Sequence, residues 1–399
     1  MNLSASPARD ASLEALRGIA AIVILLGHTI ISFFPSLYGV FGESDPAFAL
    51  SRTPFFALIN AQAAVTFTFV LSGFVLTRRY FATHDNDIVW LGMIKRWPRL
   101  AGPALISVIA GWAGFVLGIY WYREASALFK TPWLESFGAG SPDPSIVYNF
   151  GFAVADGAVL SFLRRGSMYN SVLWTMTYAL SGSLMILMLA VVAVKFRHLH
   201  TGLRAMLALI VFVVAGYGSP LLAALVIGSV LSLVSVARPI HVWRLVACVG
   251  LLLAFYLLGY SQGAKPYAWL TSVGAGLQYG QYVWILASAL AIVCVEGSAV
   301  LPRSLSGRFG AFLGSMAFPI YLAQVVVICS IGSYAFVATA GILPSPYPAL
   351  LACLVSVVGA FVAALPLRAF DLWWVPAISR ASAFVLLYAR SRYQRIGKG

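Results

Sequence analysis

A run of about twenty apolar residues, wound as a helix, is long enough to cross the hydrocarbon core of a bilayer. This chain of 399 residues carries ten candidate runs, near 13–34, 55–77, 101–122, 172–194, 204–218, 220–237, 245–261, 279–300, 311–340 and 348–369. Composition agrees, with 61% hydrophobic and only 10% charged residues and a mean hydropathy of +0.90. Soluble domains average roughly 45–50% apolar and about 25% charged residues. A soluble enzyme, a disordered chain and a disulfide-stapled secreted domain are therefore excluded. The expected fold class is all-α: a polytopic integral membrane protein of about ten transmembrane helices.

The formal charge of +14, from 26 basic and 12 acidic residues, reads first as topology. With the N-terminus cytoplasmic, 20 of the 26 basic residues fall on the cytoplasmic side of the ten spans and 6 on the other. That asymmetry follows the positive-inside rule and places both termini in the cytoplasm. No basic run interleaves with aromatics outside a membrane context, so no nucleic acid is expected as a partner; membrane lipids are. Residues 1–370 read as one membrane domain and 371–399 as a cytoplasmic, amphipathic and basic tail. The first apolar run, from Ala15 to Phe34, exceeds a signal-peptide core and is expected to remain as the first helix. The longest stretch outside the membrane, 123–171, lies on the far side.

Four cysteines, Cys248, Cys294, Cys329 and Cys353, all sit within apolar runs. None has CxxC spacing or a flanking histidine, so neither a disulfide framework nor a metal site is expected. Four of the five histidines fall in polar loops. His28 lies in the middle of the first span, where a titratable group is costly and points to function. Arg17 is eleven residues away, close to three full turns, so the two share a helix face within about 20°. Glu14 falls within about 40° of the same face. One stripe thus offers a carboxylate, a guanidinium and an imidazole. A neutral imidazole can take a proton from a hydroxyl or carry an acyl group, and a guanidinium can grip a phosphate.

On these residues the chain resembles the acyltransferase 3 family of membrane proteins. Leu16-Arg17-Gly18-Ile19-Ala20-Ala21, running on to Gly27-His28, is similar to the family's opening motif, an Arg, ten intervening residues and a His on the first helix. Phe69-Val70-Leu71-Ser72-Gly73-Phe74 resembles its second-helix stretch, and Lys95-Arg96-Trp97-Pro98-Arg99-Leu100 its basic motif. Asn170-Ser171-Val172-Leu173-Trp174-Thr175-Met176 resembles its N-x-x-LWT segment, and Ser315 to Leu322 its late tyrosine motif. The chain departs from the pattern twice: Ala179 stands where family members commonly carry Glu, and Gln324 where they commonly carry His.

The resemblance implies transfer of an acyl group, usually acetyl, from cytoplasmic acyl-CoA to a hydroxyl of a carbohydrate or related acceptor. Acyl-CoA enters as a co-substrate, and no permanently bound cofactor is implied. His28, Arg17 and Glu14 are then the candidate catalytic residues, and Lys95, Arg96, Arg99 and Arg78 the candidates for the polyanionic donor. Trp174, Tyr178, Asn170 and Ser72 are candidates for substrate contact. An exported polysaccharide or its lipid-linked precursor is the first acceptor expected, and a small secreted glycoside or macrolide the second. A bacterial inner membrane is the expected home. A proton-coupled transporter or flippase of a lipid-linked sugar is the alternative from another class, and the two departures keep an inactive scaffold open.

Overall fold

The structure is a computed structural model that describes residues 7–39, 49–129, 131–271, 279–298 and 307–396. Its principal helices are α1 (Pro7–Phe33), α2 (Ala61–Thr83), α3 (Asn86–Val116), α4 (Phe150–Leu163), α5 (Met176–Lys195), α6 (Thr201–Gly218), α7 (Pro220–Ala237), α8 (Arg244–Leu258), α9 (Tyr279–Gly297), α10 (Arg308–Ala340) and α11 (Tyr347–Ile396). No strand occurs among the described residues. Nine of the helices described are long and apolar enough to cross a membrane. The tenth expected span, 245–261, is α8, whose fifteen residues reach only about 22 Å. It lies antiparallel to α9, where Gly250 meets Cys294 and the Val242 N–H donates to the Gly297 carbonyl at 2.9 Å. The chain is a polytopic all-α membrane protein.

Residue pairs across the bundle fix the helix directions. Gly18 lies on Leu313 and His28 meets Gln324, so α1 and α10 run parallel. Arg96 pairs with Ser183 and Gly92 packs on Leu187, so α3 and α5 are antiparallel. One end of the bundle, here the proximal end, holds the start of α1. The distal end holds the starts of α2, α5, α7, α9 and α11.

Lipid tails are as apolar as leucine, so helices in a membrane pack through small residues that let backbones approach. Gly228 of α7 shows this most sharply. A Cβ there would lie 1.9 Å from the Val70 carbonyl oxygen of α2. Gly18 plays the same part for α1, since its Cβ would meet the Leu313 backbone at 2.5 Å. These contacts bring α7 close to α2 and α10 close to α1, and all four helices contribute walls of the site.

The segment between α3 and α5 is a packed cap. Leu134, Phe137 and Tyr169 are fully buried in the same core as α3 and α10. α4 re-enters along α3: Phe150 meets the Trp112 ring, Gly157 lies against Leu105, and the Trp97 indole N–H donates to the Ala158 carbonyl. The C-terminal segment expected as a separate tail from residue 371 continues α11 without a break as far as Ile396. There the Trp374 indole N–H donates to the Pro98 carbonyl at 2.9 Å, tying α11 to α3.

Candidate active site

The three polar residues of α1 stand in one row with Ala21 and Ile24 between them, as 3.6-residue periodicity requires. Glu14, Arg17, Ala21 and Ile24 line a cavity of about 400 Å³ enclosed by α1, α2, α3, α5, α7, α10 and α11. Its proximal mouth is charged. Arg17 donates to Glu14 at 2.7 Å, and the Glu14 side chain keeps 45% of its surface in solvent. Arg96 and Arg99 project from α3, and Asp371 from α11. Arg96 Nε donates to the Ser183 hydroxyl at 2.7 Å, which in turn donates to the Ala179 carbonyl. Three guanidiniums against two carboxylates leave the lining net positive. A cavity of this sign suits a polyanion, and forked guanidiniums suit its phosphates in particular.

The inner end of the cavity is closed by Ile24, Thr175 and Tyr321. The Tyr321 hydroxyl donates to the Val172 carbonyl at 2.6 Å and lies 2.8 Å from the Thr175 hydroxyl. His28 is four residues beyond Ile24, roughly 6 Å further along the same row. It is not at the middle of its helix. It stands five residues before Phe33, where α1 ends, beside the start of α2, since neighbouring Gly27 abuts Ile59 and Ala61.

Two residues hold the imidazole. Gln324 is fully buried, and its Oε1 lies 3.2 Å from His28 Nδ1. The Gln324 Nε2 donates to the Tyr321 carbonyl at 3.2 Å, so the amide oxygen is the atom turned to the histidine. Nδ1 therefore carries the proton, and Nε2 is left as the basic nitrogen. From the cap, the Trp133 ring stacks on the imidazole with centroids 5.0 Å apart and planes inclined by 23°. The turn that follows Trp133 is strained: Phe137, Ala139 and Ser141 adopt φ of 54°, 71° and 45°. Non-glycine residues leave that region unless their surroundings hold them there. Phe137 is anchored by full burial.

The remaining candidates separate. Ser72 lines the proximal cavity. Arg78 does not; it donates to Glu296 of α9 at 2.9 Å in an ion pair whose side chains are 17% and 5% exposed. Lys95 stands among Arg79, Arg96 and Arg99 without lining the cavity. Asn170 is buried, and its amide donates to Ser107 at 3.1 Å and to the Leu322 carbonyl at 2.8 Å, tying the cap to α3 and α10. Trp174 and Tyr178 line a second cavity at the distal end. Asp371, Ser183, Tyr321 and Trp133 were not singled out as site residues from sequence, and Gln324 was visible only as a departure from the family pattern.

These features define a class: a helical membrane protein with a guanidinium-lined cavity aimed along one helix at a positioned histidine. The chain belongs to the acyltransferase 3 family, whose acyltransferase domain matches residues 10–365. It is a membrane acyltransferase. No curated protein and no solved structure matches the chain.

Proposed function

We propose that the protein moves an acyl group, acetyl in the first instance, from cytoplasmic acyl-CoA to a hydroxyl of an extracytoplasmic carbohydrate. One observation carries this reading: the positive cavity and His28 lie on a single row of α1, the cavity opening proximally and the histidine lying towards the distal end. The 20-to-6 division of basic residues supports a cytoplasmic proximal end, and a bacterial inner membrane is the home this reading assigns. Arg17, Arg96 and Arg99 then meet the donor's phosphates, with Ser72 further along the wall.

In the reaction, His28 Nε2 takes the proton of the acceptor hydroxyl as its oxygen attacks the thioester carbonyl carbon. The carbon–sulfur bond breaks, and the imidazolium returns the proton to the CoA thiolate. The products are the ester and free CoA, and the histidine is neutral again. Gln324 acts through His28 as a positioning residue, because its carbonyl oxygen selects the tautomer with Nε2 free. The thioester reaches His28 only when the Tyr321 hydroxyl leaves Val172 and Thr175. Ala179 puts no carboxylate in the cavity wall, so His28 works without a second titratable partner there.

The test uses the purified full chain in detergent with acetyl-CoA and a glycan extract from the producing cell. Free CoA thiol and ester formation are followed together. Release of CoA that requires the glycan and yields an O-acetylated product supports the reading. Movement of a lipid-linked sugar across reconstituted vesicles without acyl loss would replace it with the carrier.

A further inference from the structure

The second cavity, of about 260 Å³, lies apart from the donor cavity, although two of the expected substrate-contact residues, Trp174 and Tyr178, line it. Neither His28, Gln324 nor Trp133 lines it. It is formed where several helices have their distal ends: Gln62 at the start of α2, Trp174 and Tyr178 around the start of α5, Tyr217 and Ser219 at the α6–α7 turn, and Gln281 at the start of α9. All these ends lie on one face of the bundle because successive spans alternate in direction. Tyr217 is 92% exposed, which places the mouth on that face.

The lining has a consistent chemistry. Three aromatic side chains offer flat apolar surface, and the Trp174 and Tyr178 rings stand edge to face at 6.2 Å and 79°. The side-chain amides of Gln62 and Gln281 take part in no hydrogen bond among the described residues, so each can both donate and accept. No carboxylate lines the cavity among the described residues. A fixed charge stands beside it: the Arg165 guanidinium is stacked over the Tyr178 ring at 5.2 Å. Apolar ring faces next to neutral amides match the alternation of C–H faces and hydroxyl edges on a pyranose. The absence of carboxylates and the presence of Arg165 disfavour a cationic sugar and favour a neutral or acidic one.

We infer that this cavity is a saccharide-binding subsite for one ring of an acceptor longer than a single sugar, neutral or acidic, whose reacting hydroxyl lies on another ring at His28. The inference rests on the proposed transfer to a carbohydrate. It adds where the acceptor is gripped, and that it must span two subsites. Val65 lines both cavities, and Trp174 and Thr175, adjacent in the chain, face one each. An acceptor held distally is thereby brought alongside the donor.

The experiment reads occupancy, not turnover. Gln281→Cys is placed in the full chain with Cys248→Ser, since Cys248 is the exposed native cysteine, and expressed in sealed cells. A membrane-impermeant maleimide is added outside, with and without a mixture of neutral and acidic di- to tetrasaccharides. Labelling is expected from outside, slowed by the saccharides but not by added acetyl-CoA. Adding Trp174→Ala should weaken that protection about tenfold, the expected loss of a stacked aromatic contact. Absence of outside labelling, labelling equally fast with saccharides, or protection untouched by Trp174→Ala would each overturn the inference. Protection by anionic lipid vesicles and not by saccharides would also overturn it and assign the cavity to a lipid headgroup. If saccharides protect while CoA is never released, the subsite stands and the acyl-transfer reading fails.

Discussion

Replacing Gln324 with leucine keeps a side chain of similar size in a fully buried position and removes the acceptor that lies 3.2 Å from His28 Nδ1. Leaving a buried donor without its partner costs about 1–3 kcal/mol. If that cost falls on the transition state, the rate drops about 5- to 150-fold. The loss should appear in kcat at saturating acetyl-CoA with the donor KM unchanged, because Gln324 is outside the donor cavity. Gln324→His restores the residue common in the family and keeps a ring nitrogen able to accept, so it should recover most of the rate. His28→Gln removes the base and should cost at least about 100-fold. The double variant His28→Gln with Gln324→Leu should then be no slower than His28→Gln alone, since one residue acts through the other. Coupled release of CoA thiol in detergent measures all four. A leucine variant at wild-type rate, or one that loses as much again in the His28→Gln background, would refute the positioning argument.

Arg99→Ala should raise the KM for acetyl-CoA about 10- to 100-fold, with Lys a poor substitute, if the guanidinium grips phosphate; unchanged donor affinity removes it from the donor site. Arg78→Met should leave that KM alone but lower stability by about 3–5 kcal/mol, because it strands Glu296, and Arg78→Met with Glu296→Leu should recover most of it. Thermal unfolding in detergent, read beside KM, checks both halves. Gly228→Ala should lower the melting temperature through about 1–3 kcal/mol of overpacking, since its methyl would meet the Val70 carbonyl; an unchanged melt contradicts the close α2–α7 contact. A reporter that needs export should be active when inserted near Gly140 and inactive when fused after Gly399, and activity at both would break the assigned orientation.

Much of this was legible in the chain because helical periodicity fixes azimuth. The row Glu14, Arg17 and His28 on α1 needed only spacing, and the cavity follows it. Periodicity does not say which neighbour a face meets. Arg78 is as basic as Arg99, yet one is taken by Glu296, 218 positions along the chain, and the other lines the cavity. Gln324 stood out as a departure, but its contact with His28 joins residues 296 positions apart. Trp133 sat in a segment that reads as a loop, and only packing of the cap brings its ring onto the imidazole. Asp371 fell beyond the expected end of the membrane domain because the proline-containing α11 runs on where hydropathy fades. The depth of His28 shifted for a related reason: apolar length marks a span, while neighbours decide where along it the reaction chamber lies.

The shared wall at Val65 has an electrical meaning. Water in two cavities entering from opposite faces carries each bulk potential inward, so a membrane voltage falls mainly across whatever separates them. Moving one elementary charge through 100 mV is worth about 2.3 kcal/mol, and here that work is concentrated over little more than a side chain. Val65, 7% exposed and without a polar atom in its side chain, then stands as an apolar partition between the two cavities, both of which it lines.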